Sequence, residues 1–255
     1  MIRLKTQKEI DILSEGGYKL SQILSTLKSQ VKSGMFTNEL EDMALKLFQE
    51  ANAKPAFLGY KTHGKKYPAA LCISINENIV HCPGTLKRKI KEGDIVSIDI
   101  GMIYQGLYTD MATTVAVGDV PDRTKLLLSI TKKSLEEGIK QAILGGYILD
   151  IGKKIEGIAK GAGLGVVREL VGHGVGYEVH EDPVVPNFYD GSIKNIKLEE
   201  GLVIAIEPML TLGGEDIELA DDGWAYKTID NSLSAHFEAT IAITKEGTKI
   251  ITPIV

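Results

Sequence analysis

Cysteine is scarce in this 255-residue sequence, and basic residues do not outnumber acidic ones. With 2 cysteines the chain cannot rest on a disulfide scaffold. The net charge of -5 leaves no basic excess to neutralise phosphates, which argues against a DNA-binding protein. No run approaches the roughly 20 apolar residues that span a bilayer, and residues 1–5 lack the apolar stretch of a signal peptide. We therefore expect a cytoplasmic enzyme without DNA or membrane partners.

The apolar pattern changes period several times along the chain. Thr6 and Glu9 have the spacing of a capping box, which predicts a first helix, and Thr37 opens a second. Short β-rich runs then precede two further predicted helices and a β-rich final third. Those two helices are predicted at roughly 122–143 and 147–160. This order predicts an α+β fold with two similar halves. Without a linker between them, we expect a single domain, 1–255, with a long functional loop at 208–235.

Two neighbouring strand patterns each carry one aspartate. Asp99 in 96–102 and Asp110 in 108–115 both alternate with apolar residues, so each lies on the polar face of its strand. A turn at 104–105 would place the two directly opposite each other, with Cβ atoms about 4.5–5.5 Å apart. Such carboxylates repel each other, and a shared proton or one or two cations would relieve the repulsion. The hairpin alone leaves open that this face is merely solvated.

One histidine and two glutamates interrupt other apolar segments. His173 lies among glycines, which let the backbone pack closely against a site, and His180 follows seven residues later. Glu207 ends a buried-strand pattern just before a proline, where its carboxylate needs a partner. Glu238 is embedded in another strand pattern and shares a face with His236. Each of these residues alone is a weak signal of function.

Four carboxylates and one imidazole thus lie in or beside apolar β-elements. An oxygen-rich set suits a pair of divalent ions better than structural zinc, which prefers thiolate and imidazole. A bridging carboxylate holds two ions about 3.5–4 Å apart, the spacing used in metal-assisted hydrolysis. The candidate ligands are Asp99, Asp110, His173, Glu207 and Glu238.

Seven motifs, in order and at family-like spacing, resemble those of the type I methionine aminopeptidases. They are 76–81, Ile98-Asp99-Ile100-Gly101, Thr109-Asp110, Gly172-His173-Gly174-Val175-Gly176, 180–183, Ile206-Glu207-Pro208-Met209 and Phe237-Glu238-Ala239-Thr240. The resemblance covers essentially the whole chain. It implies the pita-bread fold, an antiparallel sheet covered by helices in two halves related by a pseudo-twofold axis. It also implies two divalent ions per chain, drawn from Co, Mn, Fe, Zn and Ni.

The resemblance also implies a role for each matched residue. Asp99 would chelate one ion, His173 and Glu207 the other, and Asp110 and Glu238 would bridge both. A water whose pKa is lowered by the ions would attack the first peptide carbonyl, with Glu207 as proton shuttle.

Two further histidines are implied to contact the substrate. His180 would hydrogen-bond the substrate carbonyl and the developing oxyanion, and His81 the scissile amide or the leaving amine. An ordinary structural role remains the alternative for both. The implied methionine pocket consists of Tyr60, Tyr67, Cys72, His81 and Trp224, and His180 completes the implied substrate-binding set. Aromatic rings and a thiol suit a thioether side chain. Phe57, Val179 and the longer segment 61–67 depart from the family pattern, and a bulky Phe57 with a small Val179 would offset each other in pocket volume.

The implied reaction is removal of the initiator methionine from nascent proteins with a small second residue. The implied enzyme is a monomer, and transient contact with the ribosome stays open. Prolidases and proline aminopeptidases carry the same ligand types, but usually behind an additional N-terminal domain, whereas here the first motif-bearing strand already begins at Leu71. The other alternative is a non-catalytic binding protein, which predicts eroded ligands, and all five are intact.

Overall fold

The computed structural model describes residues 1–62 and 64–255, so His63 in the segment 61–67 lies outside the described part. The helices are α1 (Gln7–Gln30), α2 (Thr37–Glu50), α3 (Asp122–Ile139) and α4 (Ile148–Gly161). The predicted capping box at the start of α1 is confirmed, because the Glu9 amide donates to Thr6 Oγ1 and the Thr6 amide donates to Glu9 Oε2. No helix in the described ranges is long and apolar enough to cross a membrane.

The third helix is shorter than the sequence pattern predicts. The pattern extends it to residue 143, whereas α3 ends at Ile139. Beyond that point the Gly145 amide donates to the Leu198 carbonyl, and the Leu198 amide donates to the Gly146 carbonyl. The chain leaves the helix because it pairs there with a distant segment.

The strands are numbered in chain order. They are β1 (Lys54–Pro55), β2 (Lys61–Thr62), β3 (Lys65–Lys66), β4 (Leu71–Ile75), β5 (Asn78–Val80), β6 (Ile95–Tyr104), β7 (Leu107–Ala116), β8 (Gly165–Val166), β9 (Gly172–Gly174), β10 (Glu181–Val185), β11 (Val203–Ile206), β12 (Met209–Thr211), β13 (Ile217–Leu219), β14 (Tyr226–Thr228), β15 (Ser234–His236), β16 (Glu238–Thr244) and β17 (Gly247–Ile250). Segment 208–235, predicted to be one long loop, therefore contains β12 to β14 and most of β15, and that prediction is wrong.

One antiparallel sheet of nine strands organises the fold. Its hydrogen-bonded order is β1-β6-β7-β16-β11-β9-β10, with β4 on β6 and β17 on β16. Ile98 and Ile100 of β6 pack in one core with apolar residues of α1 and α2. Ala239 and Ile241 of β16 pack in another core with residues of α3 and α4. The α+β order in two helix–strand halves is confirmed, and the alternate residues of both strands, including Asp99, face away from these cores.

The hairpin of β6 and β7 has a different register from the predicted one. Tyr104 pairs with Leu107, so the turn is Gln105-Gly106 instead of 104–105. Both turn residues have positive φ, 48° and 84°, as a two-residue type I′ turn requires. Asp99 therefore pairs with Ala112, and Asp110 with Gly101. The two aspartates share a face as diagonal neighbours, and the prediction that they lie directly opposite each other is wrong.

Candidate active site

Five neighbouring strands of the large sheet each carry one of the candidate ligands. The strands are adjacent in the order β6-β7-β16-β11-β9. In that order they bring Asp99, Asp110, Glu238, Glu207 and His173, with Glu207 directly after the last residue of β11. One oxygen each of Asp110 and Glu238 and one ring nitrogen of His173 all lie within 4.8 Å of one another. The sheet register therefore brings together side chains that are far apart in sequence.

The carboxylates of this cluster are buried and repel each other. Asp99 and Glu207 are 8% exposed, and Glu238 is 2% exposed. Burial raises the pKa of Asp99 to about 7 and that of Glu207 to about 8. Burial and then the neighbouring carboxylates raise the pKa values of Asp110 and Glu238 well above their usual range. A cation at the centre would offset this repulsion.

The donor atoms of the cluster fit a divalent metal. Within residues 1–62 and 64–255, Asp99 Oδ1, Asp110 Oδ1 and Glu238 Oε1 are buried oxygens without a hydrogen-bond partner. Buried polar atoms are normally satisfied, so unpaired buried carboxylate oxygens on neighbouring strands fit a positively charged partner. Carboxylate oxygens with a single imidazole are ligands for hard to borderline divalent ions.

The glycines around His173 are required by close backbone packing. A Cβ on Gly172 would lie 2.4 Å from the Ala205 carbonyl oxygen, and one on Gly174 would lie 2.2 Å from that of Asp182. His173 Nδ1 donates to the Gly174 carbonyl over 2.9 Å, which leaves Nε2 unprotonated in the neutral ring and free to bind a metal. Burial lowers the pKa of His173 to about 4, which favours this neutral form.

A single cavity connects the cluster with the predicted substrate pocket. Its volume is about 690 Å³. All eleven predicted site residues line it, namely Tyr60, Tyr67, Cys72, His81, Asp99, Asp110, His173, His180, Glu207, Trp224 and Glu238. Phe57 also lines the cavity, and Val179 packs in the same apolar cluster as Phe57, Tyr67 and Cys72. Phe57 and Val179 therefore belong to one apolar cluster beside the pocket, and Phe57 itself lines the cavity.

The pocket side chains are held by contacts with one another. The Tyr67 hydroxyl donates to Cys72 Sγ over 3.1 Å, and its ring meets Trp224 edge-on at 5.3 Å between centroids. His180 Nδ1 lies 3.0 Å from the Tyr60 hydroxyl, and its ring lies 4.4 Å from that of His173. His180 therefore stands at the boundary between the pocket and the carboxylate cluster.

A buried ion pair fixes the turn that carries His180. Lys5 Nζ lies 3.1 Å from Glu181 Oε2, and these side chains are 1% and 2% exposed. The other oxygen of Glu181 accepts the amides of Tyr177 and Glu178. Because Lys5 and Glu181 lie 176 residues apart, no local pattern in the sequence predicts this pair.

His236 is a member of the cluster that the predicted ligand set omits. It is 1% exposed, and its Nε2 lies 3.5 Å from Glu207 Oε2 and 3.8 Å from Glu238 Oε2. The only sequence signal for it is its position two residues before Glu238, which predicts a shared strand face, although the structure places His236 at the end of β15 and Glu238 at the start of β16.

Comparison with known proteins agrees with this geometry. The model of metallopeptidase family M24 matches residues 12–245. A methionine aminopeptidase of Aquifex aeolicus is 44% identical over 256 residues, covering 99% of each chain. The crystal structure of a methionine aminopeptidase from Thermotoga maritima superimposes with a TM-score of 0.93 at 38% identity, covering 99% of each chain.

The prolidase branch shares the fold at a greater distance. The prolidase of Pyrococcus furiosus gives a TM-score of 0.76 at 23% identity, and the match spans 66% of that chain. The predicted pita-bread fold is confirmed by both kinds of neighbour. Full-length coverage and higher identity separate the methionine branch from the proline branch. The chain belongs to metallopeptidase family M24 and, within it, to the bacterial type I methionine aminopeptidases.

Proposed function

We propose that this chain hydrolyses the peptide bond after an N-terminal methionine when the second residue is small, using two divalent ions. The observation that carries the proposal is the shared cavity, which joins the buried carboxylate cluster to a pocket of aromatic rings and a thiol. On this proposal the enzyme acts as a single-domain monomer on nascent chains in the cytoplasm, with transient access to the ribosome.

Five side chains would hold the ions. Asp99 would bind one of them, and His173 and Glu207 the other. Asp110 and Glu238 would bind both ions. This is supported by the closeness of one oxygen of each to a ring nitrogen of His173, all within 4.8 Å of one another. Divalent ions of this kind (Co, Mn, Fe, Zn or Ni) supply Lewis acidity and lower the pKa of water when bound.

Protons and the substrate carbonyl would be handled by three side chains. Glu207 would take a proton from the attacking water and deliver it to the leaving amine, because its carboxylate lies in the cluster that would hold the ions and lines the cavity that would admit the substrate. His180, oriented by the Tyr60 hydroxyl, would donate to the scissile carbonyl and stabilise the developing oxyanion. His81 lines the same cavity and would contact the scissile amide or the leaving amine.

The methionine side chain would enter the pocket bordered by Tyr67, Cys72 and Trp224. The edges of Tyr67 and Trp224 favour contact with a thioether sulfur. Burial and the nearby Asp99 carboxylate raise the pKa of the Cys72 thiol well above its usual range, so the pocket presents a neutral thiol.

A substrate panel with metal titration tests the proposal. Chelator-treated protein should be inactive, and Mn(II) or Co(II) should restore cleavage of Met-Ala-Ser. Ala-Pro and Met-Pro dipeptides serve as the comparison, because they are substrates of the proline-specific branch. Faster turnover of these dipeptides than of Met-Ala-Ser would refute the methionine assignment, and full activity after exhaustive chelation would refute the metal mechanism.

A further inference from the structure

His236 is a buried histidine whose ring has no hydrogen-bond partner among the described residues. Both Nδ1 and Nε2 are fully buried and unpaired there. A buried polar group without a hydrogen-bond partner destabilises the fold, so a ring in this position needs a partner. Two carboxylate oxygens lie close to Nε2, Glu207 Oε2 at 3.5 Å and Glu238 Oε2 at 3.8 Å.

Hydrogen bonds to two neighbouring strands hold the backbone of His236 in place, with its ring beside the carboxylate cluster. The His236 amide donates to Thr114 Oγ1 over 2.9 Å, and the Thr114 hydroxyl donates to the His236 carbonyl over 2.7 Å. His236 also pairs with Met209 across β12 and β15. Thr114 lies on β7, the strand that carries Asp110, so the ring and the cluster share one rigid support.

The carboxylate of Glu207 lies between two imidazoles. Its Oε1 is 3.4 Å from His173 Nε2, and its Oε2 is 3.5 Å from His236 Nε2. His173 Nε2 and Glu207 Oε1 would face the same ion in the proposed ligand set, which leaves Oε2 to be satisfied by another group. Metal-binding side chains are generally oriented by hydrogen bonds of this kind.

We propose that His236 is a positioning residue whose Nε2–H donates to Glu207 Oε2 and holds Glu207 with its other oxygen toward the ion. The inference rests on the proposed ligand set. It assigns to His236 a hydrogen bond and no direct contact with metal.

Two substitutions separate hydrogen bonding from shape. In His236→Gln the side-chain amide nitrogen is separated from Cα by the same number of bonds as Nε2 of the imidazole, so a hydrogen-bond donor is kept at about the same distance from the backbone. In His236→Leu it is lost. Mn(II) binding is measured by isothermal titration calorimetry at one pH, with circular dichroism to check folding. We expect His236→Leu to weaken binding about 10- to 100-fold and His236→Gln to bind close to wild type. His236→Asn, whose amide stops one bond short, replaces the leucine variant if that variant does not fold.

The outcomes distinguish this inference from the proposed function. Wild-type affinity in a folded His236→Leu variant would overturn the inference. So would equal losses in the leucine and glutamine variants, because the imidazole would then act as a ligand or by its shape. Glu207→Gln is the reference variant. If it binds Mn(II) as tightly as wild type, the proposed ligand set is wrong. If it binds Mn(II) more weakly while His236→Leu binds as wild type does, only the role of His236 is overturned.

Discussion

The two parts of the active-site cavity are built in different ways. The floor, formed by the proposed metal ligands (Asp99, Asp110, His173, Glu207 and Glu238), comes from five adjacent strands of one sheet, with Glu207 directly after the last residue of β11. Of the pocket wall (Tyr60, Tyr67, Cys72, His81, His180 and Trp224), only Cys72 lies within a strand. Floor residues are at most 9% exposed, whereas Tyr60 is 37% exposed and His180 is exposed as well.

This difference separates two kinds of function. The floor is held by sheet register, which keeps mutually repelling carboxylates together until a cation neutralises them. The wall is held by side-chain contacts such as that of Tyr60 with His180, and by the buried Lys5–Glu181 pair behind the His180 turn. Changes in the floor should therefore abolish metal binding, whereas changes in the wall should leave the metal bound and alter turnover or selectivity.

Asp110→Asn should have the largest effect. The substitution removes one of the two carboxylates proposed to bind both ions, so we expect weaker Mn(II) binding and a loss of peptidase activity of at least about 1000-fold, because the activated water depends on the ions. The fold should persist, since asparagine has the same shape and relieves charge repulsion. Activity on Met-Ala-Ser and calorimetry measure both effects, with Asp42→Asn on the exposed face of α2 as the control. A wild-type rate in Asp110→Asn would show that the floor is wrongly assigned.

His180→Ala should separate the wall from the floor. The loss of a donor to the developing oxyanion lowers kcat by about 100- to 1000-fold. Mn(II) affinity should stay unchanged, because His180 is not among the proposed ligands. Tyr60→Phe removes only the hydroxyl 3.0 Å from His180 Nδ1 and should cause a smaller loss of kcat. If His180→Ala lowers metal affinity as much as it lowers kcat, His180 belongs to the floor.

The floor was more predictable from sequence than the wall, because strand alternation fixes which side chains share a face. Asp99 and Asp110 follow from alternation alone. The predicted register of the hairpin nevertheless differs from the observed one. The turn requires positive φ at Gln105 and Gly106, and only the glycine indicates such a conformation by its residue type. Family resemblance supplied the wall residues, because contacts between loops far apart in sequence leave no local pattern.

His236 shows where prediction from sequence stops. Its shared face with Glu238 was visible, but its approach to Glu207 depends on the pairing of β12 with β15. Those two short strands lie largely in segment 208–235, which lacks the apolar alternation of a strand region and was predicted to be a loop. The Lys5–Glu181 pair cannot be predicted from sequence patterns for a similar reason, because its two residues are 176 positions apart in the chain.

Metal affinity should depend on pH through the floor. The pKa values of Asp99, about 7, and Glu207, about 8, are raised, so both carboxyls hold protons below those values when no metal is bound. A cation must displace these protons, and affinity should therefore rise with pH between 6 and 8, by about tenfold per unit for each proton displaced. The pKa of His173, about 4, makes it neutral throughout, so it releases none. Calorimetry in buffers of different ionisation enthalpy counts the protons, and an affinity independent of pH would contradict the prediction.

Phe57→Ala tests the place where wall and floor meet. The ring of Phe57 lies over the backbone of Gly101 on β6, where a Cβ would come within 2.7 Å of Phe57 Cε1. Gly101 pairs with Asp110, so the ring rests on the floor while it borders the pocket. Removing the ring enlarges the pocket, and kcat/KM for Met-Ala-Ser should fall about tenfold, since a changed apolar contact is worth about 1–3 kcal/mol in substrate discrimination.

Metal affinity should be unchanged in Phe57→Ala, because the glycine backbone at 101 keeps its strand pairing without the ring. The double variant Phe57→Ala with Val179→Phe returns bulk to the same apolar cluster and should recover part of the lost kcat/KM. Recovery would establish that Phe57 and Val179 offset each other in pocket volume. A double variant with a lower kcat/KM than Phe57→Ala would show that the pocket depends on the position of the ring and not on volume alone. A loss of Mn(II) affinity in Phe57→Ala would mean that wall and floor are not separable at this point.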